Sequence, residues 1–128
     1  MIDFQEVELF WKNQSKEDFK TAEGLFSLGR YAPALFFCHL SLEKLLKSFV
    51  VKKTKNHAPY DHNLKKLTSF AEIILTENDL GLLDEINTFN IKGRYGDYKS
   101  KFYKMATKKY AEKYINETKR IIKWLKKL

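Results

Sequence analysis

Apolar side chains recur along most of this chain at steps of three and four residues, the spacing that lets a helix bury one face. The first such segment predicts a helix from about Asp3 to Leu28, where Phe4, Val7, Phe10, Trp11, Phe19, Ala22, Leu25 and Phe26 fall mostly on those steps. The pattern lapses over residues 12 to 18, "KNQSKED", where Ser15 with Asp18 forms a capping-box pattern that could restart a helix. One long helix with room for a bend is the expectation, closed by Gly29 as the residue past its end.

The second helix is expected from about Ala32 to Lys53, with Pro33 in the first turn, where a missing N–H costs nothing. Its sequence "ALFFCHLSLEKLLKSFVV" is apolar nearly all round, which places it centrally in the core. A third helix is expected from about His62 to Leu75 behind Asp61 as N-cap, and a shorter fourth from Asn78 or Asp79 to Asn90. The fifth is expected from about Lys101 to Leu128, where Ala111, Ile115, Thr118, Ile122 and Leu125 repeat and lysines fill the other faces. Residues 89 to 104, "FNIKGRYGDYKSKFYK", read as a loop leading into it. No segment alternates as a strand does, so the chain is all-α, and helices with short connections pack as an antiparallel bundle.

Composition narrows the class. With 128 residues, 44% hydrophobic and 15% aromatic, the chain has the length of a single domain, 1–128, with a real core. No apolar run approaches the ~20 residues of a membrane span, and "MIDFQEVELFWK" has no signal-peptide pattern, so a cytoplasmic protein is the default expectation. The single cysteine, Cys38, lies in "ALFFCHL" and reads as a buried thiol. The net charge of +8 is segregated: residues 92 to 128 carry thirteen Lys or Arg against Asp97, Glu112 and Glu117, a net of +10, and the rest carries −2. Such an end attracts polyanions, nucleic acid above all. Lysines dominate it, and sequence reading prefers arginine.

"WKNQSKEDFKTA" from Trp11, "LGRYAPALFF" from Leu28, "SLEKLLK" from Ser41, "HNLKKL" from His62 and "GRYGD" from Gly93 together resemble the HEPN domain, nearly end to end and in the right order. The resemblance implies an up-and-down four-helix bundle with a short additional helix and a tendency to form a two-fold homodimer. It also implies a nucleotide-binding role and a minimal nucleotidyltransferase partner, as in toxin–antitoxin pairs. Many HEPN proteins are metal-independent RNases marked by Arg, four to six residues, then His. Here Arg94 is followed at the permitted positions by Lys99, Ser100 and Lys101, and no His lies beyond His62. The RNase activity therefore does not carry over, because that place lacks a general acid or base and lysine is mostly protonated at neutral pH.

His39, Glu43 and Lys47 are four apart and form one polar stripe on an apolar helix. Two readings stand: a polar groove in which Arg94 partners Glu43, or an intrahelical Glu43–Lys47 pair at an exposed edge. Lys44, off the stripe, is expected in solvent. His57 and His62 with Asp61 could hold a metal, but the spacing is not that of a helical ligand pair, and a turn with His62 packed and Asp61 capping is the expectation. In the 89–104 stretch Arg94 could take a phosphate bidentately and Tyr95, Tyr98, Phe102 and Tyr103 could stack on bases. The alternative is that Tyr95 and Phe102 anchor a loop while Arg94 and Asp97 pair. Candidate ligand-binding residues are thus Arg94, Tyr95, Asp97, His39, Glu43 and Lys47. His39 is the one candidate acid/base, and no cofactor is indicated because neither a P-loop nor a dinucleotide fingerprint is present.

Overall fold

A computed structural model describes residues 1–92 and 100–128 with their side chains, and residues 93, 94 and 96–99 as helical backbone. The elements are α1 (Phe4–Ser27), α2 (Tyr31–Thr54), α3 (Leu64–Phe70), α4 (Glu77–Arg94), α5 (Gly96–Met105) and α6 (Lys108–Lys126), with no strand among the described residues.

α1 runs unbroken through the polar interval. Ser15 does not restart it: Ser15 is buried, and its hydroxyl donates to the Ser41 carbonyl at 2.6 Å while the Ser41 hydroxyl donates to the Ser15 carbonyl at 2.9 Å. The polar interval is thus a helix–helix contact in which small side chains let two backbones approach. Gly29, at φ +76°, ends α1 as expected: its N–H donates to Phe26 O and the Arg30 N–H to Leu25 O, the paired closing bonds of a left-handed stop. The chain then reverses into α2, which packs along α1 and touches every other helix.

α3 is shorter than expected. Its N-cap is Asn63, not Asp61: the Asn63 side chain accepts from the Lys65 and Lys66 N–H groups, and Asp61 instead accepts from the Asn63 N–H. Glu72, at φ 56°, stops the helix, with the Ile73 N–H donating to Thr68 O. α4 extends past Asn90 to Arg94, and α5 begins at Gly96, so the expected 89–104 loop has helical backbone on both sides of residue 95. The expected last helix is two helices. Thr107 caps α6 by accepting from the Tyr110 N–H, which sets a new helix start inside the predicted one.

α1, α2, α4 and α6 make the bundle. α6 runs antiparallel to α4, since Tyr110 bonds Glu85 while Arg120 bonds Asp79, and antiparallel to α1, since Lys119 meets Glu23 while Lys126 lines a cleft with Lys16. Leu35, Leu42, Leu45, Leu46, Leu83, Ile86, Phe89, Ile121 and Leu125 fill the centre. α5 is held by Phe102, which is buried and stacks on Phe89 with ring centroids 5.7 Å apart. No described helix is long and apolar enough to cross a membrane.

Candidate functional site

The stripe on α2 is inside the protein. His39 is fully buried, and Glu43 and Lys47 are 4% and 5% exposed. Charges so placed need partners. Glu43 has them on both oxygens: Lys47 Nζ donates to Oε2 at 3.1 Å and His62 Nδ1 to Oε1 at 2.9 Å. Lys47 also lies 5.2 Å from the centre of the Trp11 ring, whose π face attracts the ammonium. The Glu43–Lys47 pair therefore exists as anticipated, but in the interior and not at an exposed edge. Its third member is His62, for which the sequence suggests a metal ligand or a packed turn residue and not a partner of Glu43. Nothing local announces it, since the pairing spans nineteen residues and depends on where Asn63 starts α3.

His39 Nε2 lies 3.0 Å from the His62 carbonyl oxygen, and its Nδ1 faces Glu43 Oε1 at 3.8 Å. A carbonyl only accepts, so Nε2 carries a proton. One backbone group and one side chain of the α2–α3 connection thus dock onto two stripe residues a helical turn apart. This arrangement locks a connection onto a helix. It gives His39 no open route to a substrate proton, because general acid–base work needs the imidazole within hydrogen-bond reach of the reacting group.

The remaining candidates divide. Arg94, Tyr95 and Asp97 lie outside the residues whose side chains are described, as does any contact between Arg94 and Glu43. Lys44 is not solvated as expected: it bridges to Asp18 on α1 at 2.7 Å. His57 packs edge-on against Phe4 at 5.3 Å, and no cluster of potential metal ligands occurs among the described residues. Tyr103 is 48% exposed, whereas Phe102, a candidate for base stacking, is a core residue. Cys38 is buried as expected, and burial pushes its thiol up from 9.0 to about 12. Among the described residues, Lys101, Lys104, Lys108 and Lys109 are exposed on α5 and the start of α6.

The HEPN domain model matches residues 9–128 of this sequence. The chain belongs to the HEPN family. Its fold agrees with that of a solved protein, TT1696 from Thermus thermophilus, at a TM-score of 0.79 over 94% of this chain and 96% of the other, with 19% identity. At that identity the likeness speaks for the fold alone. No curated protein matches the sequence. The HEPN bundle here therefore has a sealed polar stripe and a lysine-rich C-terminal half, and it lacks the Arg-then-His signature described above.

Proposed function

We propose that this HEPN module binds the phosphate groups of a nucleotide or an RNA through Arg94 and the lysines around it, and does not cleave RNA. It acts as a homodimer beside a minimal nucleotidyltransferase partner, as one member of a toxin–antitoxin-type pair. One observation supports binding over catalysis: the positive charge is on the surface while the stripe's imidazole, His39, is enclosed and bonded to a backbone carbonyl. Exposed lysines attract a polyanion, and an enclosed imidazole cannot exchange protons with it.

Anisotropy of a labelled single-stranded RNA and of labelled ATP tests the reading. Arg94→Ala weakens binding far more than Lys126→Ala, whose charge near the chain end is diffuse and fades with salt. Arg94→Lys also binds poorly, because an ammonium cannot make the planar two-donor contact. Thermal melting shows whether each variant is folded. Equal affinity of wild type and folded Arg94→Ala removes Arg94 from the reading and leaves the lysines of α6 as the surface to test.

A further inference from the structure

Where α2 and α6 both end, the turn after α3 closes an apolar groove of about 520 Å³ lined by Phe49, Ala71, Ile73, Ile74, Trp124 and Leu128. The left-handed Glu72 creates it. By reversing the chain there, Glu72 turns Ile73 onto the core and leaves Ile74 90% exposed. Leu128 is 58% and Trp124 38% exposed on the opposite wall. Beyond Ile74 lies a second cleft floored by Phe70, Leu75 and Leu80. Ile74 is thus a ridge between two apolar hollows, an amount of clustered apolar surface that isolated exposed residues do not make.

The rims are cationic. Lys52, Lys53, Lys65 and Lys66 line the two clefts against Glu72 and Asp61. Glu72 is already taken by Lys53 at 2.6 Å, which leaves Lys52 and Lys66 without a carboxylate among the described residues. We propose that this end of the bundle docks an acidic, amphipathic segment of a partner protein, with bulky apolar side chains seated on either side of Ile74 and carboxylates facing Lys52 and Lys66. Charge decides against a second copy of this chain, because a two-fold contact would join two faces that each carry four lysines against two carboxylates. Shape decides against a membrane surface, since a flat bilayer meets Ile74 and leaves both hollows unfilled. The inference does not rest on phosphate binding. Arg94 lies about 20 Å further along α4 from Leu80, at the helix rise of 1.5 Å per residue.

Selection of short random peptides displayed on phage, panned on the whole wild-type chain and counter-selected on Ile74→Asp, tests this directly. Ile74 is too exposed for its replacement to disturb the core, and thermal melting checks it. The expected winners carry aspartate or glutamate among leucine, phenylalanine or tryptophan. As synthetic peptides they lose about tenfold or more in affinity on Ile74→Asp and several-fold on Lys52→Glu with Lys66→Glu. Winners that are basic or uncharged, winners indifferent to Ile74→Asp, or no enrichment over the counter-selected pool overturn the proposal. So does a dimer by light scattering that Ile74→Asp makes monomeric, which would assign the face to a second copy. Sedimentation with phosphatidylserine vesicles that Ile74→Asp abolishes would assign it to lipid instead.

Discussion

His62 Nδ1 sits 2.9 Å from Glu43 Oε1, so a residue of the α2–α3 connection supplies the partner of a carboxylate buried on α2. Glu43 is held between this imidazole and Lys47, and Lys47 in turn lies over Trp11 of α1. Three chain segments meet at one carboxylate. Its removal should therefore be felt in all of them.

Glu43→Ala leaves the Lys47 ammonium buried without its counter-charge, and breaking a buried pair from one side costs about 3–5 kcal/mol. Replacing both residues, as Glu43→Leu with Lys47→Met, costs less than Glu43→Ala alone, because no uncompensated charge remains. His62→Ala is milder, about 1 kcal/mol, since that side chain is 40% exposed and its bond is part-solvated. Urea denaturation of the four proteins gives the ranking. A double variant less stable than Glu43→Ala would mean that the ion pair itself stabilises the fold.

The crossed bonds between Ser15 and Ser41 make a second test of the α1–α2 contact. Either Ser→Ala change removes one donor from a buried contact and should cost about 0.5–1.5 kcal/mol. The two carbonyls involved belong to helices and keep their backbone donors. The two hydroxyl oxygens also lie 3.2 Å apart, so losing both together costs less than the sum of the single losses, with a coupling of about 0.5 kcal/mol or more. A strictly additive double-mutant cycle would show that the hydroxyls act independently.

Much of this was legible in the sequence. The three-and-four spacing locates α1 closely, because a long helix with one buried face carries many independent votes for the same phase, and α2 is marked by its long apolar run behind Pro33. Gly29 marked a stop that the backbone obeys. The errors have particular causes. Glu72 adopts a left-handed conformation usually left to glycine, so the end of α3 had no visible signal. The apolar repeat of the last helix begins only at Ala111, and residues 101 to 110 do not share its phase; Thr107 and the inward-facing Phe102 show the break. In the site, the stripe was visible because its members share one helix. Its partners His62 and Trp11 were not, because pairings between helices depend on packing that no local spacing encodes.

Cys38 gives a pH-dependent prediction. Its thiol titrates near 9.0 in the unfolded chain and is pushed up to about 12 by burial in the folded one. Tyr110 is raised too, first by desolvation and then by its hydrogen bond to Glu85, and Tyr114 shifts the same way. For each group the folded state binds protons more tightly, so its contribution is fully present below the unfolded value and is lost as pH rises through the folded one. Stability should fall as pH rises from about 9 towards 12. Native protein at pH 8 should resist thiol reagents because the enclosed thiol stays protonated, and the same protein should react fully once unfolded in guanidinium chloride. Rapid labelling of the native protein would contradict the enclosure of the thiol.

RNA cleavage is the test of what the family membership carries over. Attack by a ribose 2′-hydroxyl needs a group to accept its proton and another to protonate the leaving oxygen. The place after Arg94 offers lysine and serine. The stripe's imidazole has Nε2 committed to the His62 carbonyl and no solvent exposure. The purified protein should therefore leave single-stranded RNA intact in EDTA, with no more product than buffer alone, and His39→Ala should change nothing but stability. His39→Asn keeps a side-chain donor in the pocket and separates folding from chemistry. Turnover that co-purifies with the protein, persists in His57→Ala and is lost in a folded His39→Asn would mean that the α2–α3 connection opens and that His39 then acts as the missing base.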